Sequence, residues 1–404
     1  MAVSLCCKIF FWRISTCDSV KTRYPKPTFL NFPNLHIFME IKHNNLRAFA
    51  YINLTNLLYN LENIKRLHPH KTIIIMLKAN AYGHGATKIA KALDGLCDYF
   101  GVASVEEGIE LSQAGVHKTK IIVFSGFFCV DMVKALIEYH LIPIIHSAYQ
   151  YELLHEYFIT TSAEIWLKVN TGMNRLGLTE EEFTSLYQKA QSYAKPVNAL
   201  THLAESESTD QTFTREQLRR FQALIKDKNL RHISAFNSAA SLLQREDFGT
   251  NTIRIGLALY GACAADHLLL NCSLKSVMSL HSHIIAIQRI NKGDSVGYNR
   301  QYIATEDTHI AVASIGYGDG YPQSTPNQTS VLINNQIYPT AGKISMDLTA
   351  IDVGLIHHVN IGDTITLFGG NALTVDELAH RIGTSSYAML TAINPRVTRF
   401  YTSL

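Results

Sequence analysis

Lys78 stands directly behind the apolar run TIIIML (72–77), and no other lysine in this part of the chain ends so apolar a stretch. An amine in that place is partly desolvated, which lowers its pKa and frees its lone pair for Schiff-base chemistry. A lysine that snorkels from a strand end gives the bland alternative. Other polar residues end later apolar runs in the same way. They are Lys168 and Arg175 around AEIWLKV, His202 in THLAE, Asn237 and Ser238 after HISAF, and Arg254 with Gly256 and Leu257 in TIRIGLALYG. The histidines, His84 in YGHG included, show no metal-ligand spacing, so no metal is assigned. Seven cysteines (Cys6, Cys7, Cys17, Cys97, Cys129, Cys263, Cys272) are odd in number and scattered without a CxxC pair. They read as reduced thiols in a cytoplasm.

Such residues need a scaffold that gathers strand ends. Starting at TIIIML, the apolar runs YFGVAS, KIIVFSG, LIPIIHS, AEIWLKV, VNALTHLAES, HISAFNS and TIRIGLALYG recur with a helical pattern between neighbours. Eight consecutive strand–helix units predict a (β/α)8, TIM-like barrel, whose active-site residues lie at the C-terminal ends of the strands. A doubly wound open sheet is the rival. Ahead of the barrel, RAFAYINL alternates and TNLLYNLENIKRL reads as an amphipathic helix with Thr55 as its N-cap. Residues 275–370 change to short alternating runs with frequent turn signals, which predicts a smaller, mainly β domain. One helix, TVDELAHRIG, and a final strand, VTRFYT, follow. The expected domains are a barrel over 41–270 and a β-domain over 271–404. Residues 1–40 fit neither pattern and read as a disordered or artefactual extension before a start near Met39. An organelle presequence is the arginine-poor alternative.

Composition bounds the function. With 404 residues, 47% apolar and 17% charged, the chain can bury a large core. A net charge of +3 gives no concentrated basic surface, which argues against a nucleic-acid partner. No stretch approaches the roughly 20 apolar residues of a membrane helix.

The strings LKANAYGHG (77–85), KVNTGMNRLG (168–177), THLAESE (201–207), NSAASL (237–242), IRIGLALYG (253–261), VGYN (296–299), IGYGDGY (315–321) and GKISMD (342–347) resemble, in this order, the motifs of alanine racemases. These are pyridoxal 5'-phosphate enzymes of fold type III, built from a barrel and a β-domain, and the resemblance covers residues 47–400. It implies that Lys78 holds the cofactor and moves a proton on one face of the substrate, the face of the D-alanine proton. Tyr298 would serve the L-alanine face from the second subunit of a head-to-tail homodimer. Tyr82, Asn237, Ser238 and the backbone at Gly256 and Leu257 would hold the cofactor phosphate, although Ser238 also suits a helix N-cap.

Arg254 would face the pyridine nitrogen. An arginine keeps its proton at neutral pH, so the ring stays a weaker electron sink, which favours racemisation over amino transfer. With His202, Arg254 would also stabilise the Tyr298 phenolate. Arg175 would meet the substrate carboxylate, fixed by Lys168 in carbamylated form. Tyr317 would line the entry, and Met346 and Asp347 would meet the substrate carboxylate through backbone and entry contacts. Together these imply interconversion of L- and D-alanine, supplying D-alanine for peptidoglycan. Two positions depart from the family: Asn170 replaces a frequent aspartate, and Pro395 stands where some relatives have a tyrosine that touches the phosphate. Barrel-only cofactor carriers lack the VGYN and IGYGDGY strings, and fold-type III decarboxylases carry different ones. A racemase acting on serine or another amino acid is the remaining alternative.

Overall fold

The computed structural model describes residues 46–402 apart from 162–163, 193–195, 244–245, 264–267, 269–271 and 371–372. The expectations for residues 1–40 and a start at Met39 lie outside the described residues. With Ala48–Ile52 as β1, the barrel strands are β2 (Thr72–Met76), β3 (Tyr99–Val102), β4 (Lys120–Val123), β5 (Ile142–Ile145), β6 (Ile165–Lys168), β7 (Val197–Leu200), β8 (Ile233–Ser234) and β9 (Thr252–Ile255). Their side chains are nearly all buried, because helices cover one face and the barrel interior the other. All neighbours pair in parallel, in the order β8-β7-β6-β5-β4-β3-β2-β9. Two backbone bonds join the ends of that path, Asn251 N to Ile233 O at 3.1 Å and Arg254 N to Phe236 O at 3.0 Å. The strand ends therefore converge on one mouth, as the eight-unit pattern predicts.

The helix before the barrel runs from Leu54 to Leu67 and buries Leu54, Leu57, Leu61 and Ile64 along one stripe. Its cap is Asn53, whose side chain accepts from Asn56 N at 2.9 Å, and not Thr55. Asn53 stands just before the helix, so its carboxamide oxygen reaches a free first-turn amide, while Thr55 already lies inside the first turn.

The C-terminal region contains β10 (Met278–Ile290), β11 (Ser295–Val296), β12 (Tyr302–Ile303), β13 (Thr308–Ala313), β14 (Ser330–Ile333), β15 (Gln336–Pro339), β16 (Thr349–Asp352), β17 (Thr364–Phe368) and β18 (Thr398–Tyr401). Strand β10 is the spine. It pairs with β1 and β17 over its first half and with β13 over its second, across a register shift between Ile284 and Ala286. The grouping of 41–270 as barrel fails for β1. That strand lies between β10, antiparallel, and β18, parallel. Its alternating AFAYI is buried on both faces between two strands of this sheet, a partnership made with residues more than 200 positions away and so invisible locally. A second helix, Ser386–Thr391, capped by Ser385, lies between Val375–Ile382 and β18; sequence patterning gave only the first of the two.

Candidate active site

Between Lys78 and the next helix, Ala86–Leu93, the backbone does something rare for L residues. Ala79, Asn80, Ala81 and Tyr82 all have φ between 51° and 54°. Tyr82 is thus one turn beyond Lys78, and the turn is left-handed. Left-handed backbone costs roughly 1–2 kcal/mol per residue, so four in succession store roughly 4–8 kcal/mol that neighbouring contacts must offset. Several do. Ala81 N donates to Leu77 O at 2.8 Å, Gly85 N to Asn80 O at 3.0 Å, and Ala86 N to the Asn80 side chain at 2.8 Å. From β18, Arg399 Nε donates to Gly83 O at 2.6 Å and Tyr401 donates its hydroxyl to His84 O at 2.9 Å. Gly83, at φ 80°, is also forced by packing, since a Cβ there would stand 2.1 Å from Leu390 O.

This turn puts Lys78 and Tyr82 on one cavity of about 460 Å3 at the barrel mouth. Lys168 and Arg175 reach it from the end of β6, His202 from β7, Asn237 and Ser238 from β8, and Arg254 and Gly256 from β9. The cavity gathers four cationic side chains, Lys78, Lys168, Arg175 and Arg254, and among the described residues no carboxylate lines it. Its chemistry suits a ligand that brings several negative charges.

Arg254 is 4% exposed and every hydrogen-bond partner is neutral. It donates to Ser234 O at 2.9 Å and Ser234 Oγ at 2.8 Å, to Thr201 O at 2.9 Å, and to His202 Nδ1 at 3.1 Å. Burial pulls the guanidinium down to about 10, which leaves it charged at neutral pH. Burial, then Arg254 and the cavity's other cations, drive His202 down to about 2. His202 is therefore neutral, and because Nδ1 accepts from Arg254, its proton sits on Nε2. Lys168, 7% exposed, is lowered to about 8 by burial and by Arg254, Arg175 and Lys78. Lys78 opens to solvent in the single chain, yet enough protein surrounds its amine that desolvation, followed by Arg175 and Arg254, lowers its pKa.

The floor is tight and aromatic. A Cβ on Gly256 would come within 2.5 Å of the Tyr82 hydroxyl. Ser238 Oγ accepts from Gly256 N at 2.9 Å, and Asn237 Oδ1 accepts from Ala240 N at 3.0 Å and from the Ser206 hydroxyl at 2.9 Å. Leu257 packs behind Gly256, buried, and does not line the cavity. Tyr82 stacks obliquely on Tyr260 at 5.1 Å and on Tyr387 at 5.8 Å.

Sequence reasoning missed Tyr387, along with lining residues such as Phe124 and Ser125. Tyr387 lies on Ser386–Thr391, and burial lifts its hydroxyl to about 12. Pro395 occupies the turn before β18 and does not line the cavity, whereas Tyr387 reaches it from the preceding helix. The signal available was Ser385 as a cap ahead of the spaced apolar residues Met389 and Leu390. Asn170 uses its side chain to close its own loop, accepting from Gly172 N at 3.1 Å and Asn174 N at 3.0 Å.

Besides Leu257, four expected residues do not line this cavity within one chain. Tyr298 is 68% exposed on a tight turn after β11, and Met346, Asp347 and Tyr317 are exposed as well. They nonetheless belong together. Gly297 packs against the backbone of Lys343, Tyr317 N donates to Ser345 O at 3.1 Å, and Gly318 N donates to Met346 O at 2.8 Å. An ionic quartet fixes this platform from beneath. Asp319, 1% exposed, takes Arg47 at 2.8 Å and Arg396 at 2.7 Å, and Arg396 also reaches Asp347 at 2.8 Å.

Two family models match the chain, the alanine racemase N-terminal domain over residues 52–264 and the alanine racemase C-terminal domain over residues 277–401. An alanine racemase of Shewanella loihica is 37% identical over 342 residues, 84% of this chain and 94% of the relative. The solved alanine racemase of Acinetobacter baumannii aligns with a TM-score of 0.82 at 34% identity, covering 88% of this chain and 100% of that one. The alanine racemase of Bartonella henselae, described with covalently bound pyridoxal phosphate, aligns with a TM-score of 0.79 at 26% identity, covering 88% and 99%.

Proposed function

The chain belongs to the alanine racemase family, and on that premise we propose that it interconverts L- and D-alanine by a two-base proton transfer at Cα, with Lys78 and Tyr298 as the bases. The observation that carries the reading is the cavity itself: an amine at its mouth, four cations, no carboxylate among the described residues, and a neutral histidine aligned by a buried arginine.

The residues present fit pyridoxal 5'-phosphate. Tyr82, Ser238, Asn237 and the crowded glycine corner at Gly256 and Leu257 would hold the phosphate, Lys78 would hold the cofactor covalently, and Arg254 would stand at the ring nitrogen. When bound, the cofactor withdraws electrons from the substrate's Cα and acidifies its C–H bond.

The chain does the rest. Lys78 carries a proton at one face of Cα, helped by an amine pKa lowered toward neutrality. Arg254 offers only donors, so the ring nitrogen gains no full proton from it. Arg175 meets the substrate carboxylate. Tyr298 serves the opposite face from a second copy of the chain. His202, neutral with its proton on Nε2, passes the influence of Arg254 toward that phenol. Tyr317, Met346 and Asp347 of the same partner platform border the substrate's approach. An unprotonated Lys168 can add to carbon dioxide: its lone pair forms the N–C bond, the displaced proton goes to water, and the carbamate anion holds Arg175. Its lowered pKa favours that reaction.

The reading places the enzyme as a homodimer in the cytoplasm, acting on free alanine to supply D-alanine for peptidoglycan, without nucleic acid or membrane. Among the described residues no helix is long and apolar enough to cross a membrane. The test is circular dichroism of L-alanine and of D-alanine incubated with purified enzyme and cofactor. Both signals should decay to zero. Formation of pyruvate in their place, or a stable signal with alanine and decay with another amino acid, would overturn the assignment.

A further inference from the structure

Glu107, a residue outside the racemase motifs, connects two loops at the barrel mouth. It stands three residues after Ser104, which caps the helix Val105–Gln113 and accepts from Glu107 N at 3.3 Å. A glutamate at this position ordinarily turns back onto the cap residue's own N–H. Here the carboxylate is diverted. Oε2 accepts from Ala103 N at 2.7 Å, and Oε1 accepts from Ala79 N at 2.8 Å. One side chain thus bridges the loop after β3 to the loop after β2.

The two amides are not arbitrary. Ala79 adjoins Lys78 and is the first of the four left-handed residues, so its N–H marks where the chain leaves ordinary backbone. Ala103 lines the cavity wall. Hydrogen bonds in which the donor or the acceptor is ionised are about twice as strong as neutral ones. Arg399 supplies such a bond at the far end of the turn, at Gly83, and Glu107 supplies one at the near end.

We propose that Glu107 is a positioning residue whose carboxylate clamps the start of the left-handed turn and thereby fixes the Lys78 amine relative to the cavity. The clamp stands on geometry alone; its kinetic consequence rests on the racemase reading.

Hydrogen exchange and steady-state kinetics on the cofactor-loaded enzyme test it, with wild type, Glu107→Gln, Glu107→Asp and Glu107→Gln/Ala79→Gly compared. Glutamine sets an N–H2 group against one of the two amides. Aspartate keeps the charge but is too short to span both. In each single variant, exchange across residues 78–86 should accelerate about tenfold or more, while β5 and β6 keep wild-type exchange. The kcat for alanine should fall about tenfold to a hundredfold with KM changed less, as expected for a misplaced reacting group. Glycine at 79 takes a left-handed φ without a Cβ penalty, so the double variant should regain most of the lost kcat. If the glutamine variant does not fold, the aspartate variant carries both readouts.

Wild-type exchange in the turn of the variants overturns the clamp. A loosened turn with wild-type kcat overturns the link to Lys78. A wild type that racemises no alanine refutes the function proposed above, and the exchange result then judges the clamp by itself.

Discussion

Replacing Tyr298 by phenylalanine removes one oxygen from a side chain that is 68% exposed in the single chain. The fold should hardly notice, with a stability change below about 0.5 kcal/mol. The chemistry should notice strongly, because each face of Cα needs its own proton carrier and Lys78 reaches only one. A positioned acid/base contributes about 10²–10⁴-fold, so kcat should fall by that factor with cofactor binding retained. The loss should also be one-sided. In deuterated water, the enantiomer whose proton faces Lys78, D-alanine, should still exchange, and L-alanine should nearly stop. Tyr298 lies outside its own chain's cavity, and on the proposed reading a second chain delivers it. Mixing inactive Lys78→Ala and Tyr298→Phe subunits in equal amounts makes half of the dimers mixed, each with one intact site out of two. After subunit exchange the mixture should therefore recover about a quarter of the wild-type activity per chain. A mixture that exchanges subunits and stays as inactive as its parents would refute the shared site. Symmetric loss of exchange from both enantiomers would refute the division of labour.

Borohydride treatment of the yellow holoenzyme should fix the cofactor to Lys78, read by peptide mass spectrometry; label on Lys168 instead would reverse the two lysines' roles. Carbamylation of Lys168 needs the neutral amine, whose share rises as pH climbs toward its lowered value of about 8, so 13C-bicarbonate labelling should increase from pH 6 to pH 8 and disappear in Lys168→Ala. Flat labelling across that range would disprove the carbamate. Asp319→Ala leaves Arg47 and Arg396 facing each other without their buried anion; urea unfolding should show a loss of about 2–4 kcal/mol, moderated by the arginines' partial exposure, whereas a loss near zero would show that the quartet does not hold the platform.

What the sequence revealed divides by distance along the chain. The barrel strands were legible because a strand buried on both faces must be apolar throughout, a local property of TIIIML or KIIV. Lys78 was legible for the same reason, standing out against the run before it. The alternation of AFAYI announced a strand but not its partners, since β10 and β18 lie in remote sequence and pairing is decided by the whole sheet. The left-handed turn was hidden because Ala-Asn-Ala-Tyr has ordinary composition; its conformation is imposed by bonds from Glu107, Arg399 and Tyr401. Tyr387 escaped notice because a six-residue helix is too short to show a period.

The bonds from β18 to the turn behind Lys78 also set a timetable. Arg399 is made 316 residues after Gly83. At roughly 5–20 residues per second, translation leaves a gap of roughly 15–60 s between the two. During that interval the eight barrel strands have emerged and can pair, but β1 lacks both of its neighbours at first and the turn lacks its outer restraint. The lysine site is therefore the last part of the barrel to take its working shape, although its residues are among the first to leave the ribosome. A nascent chain holding every cavity residue from the barrel would still present an unfinished lysine.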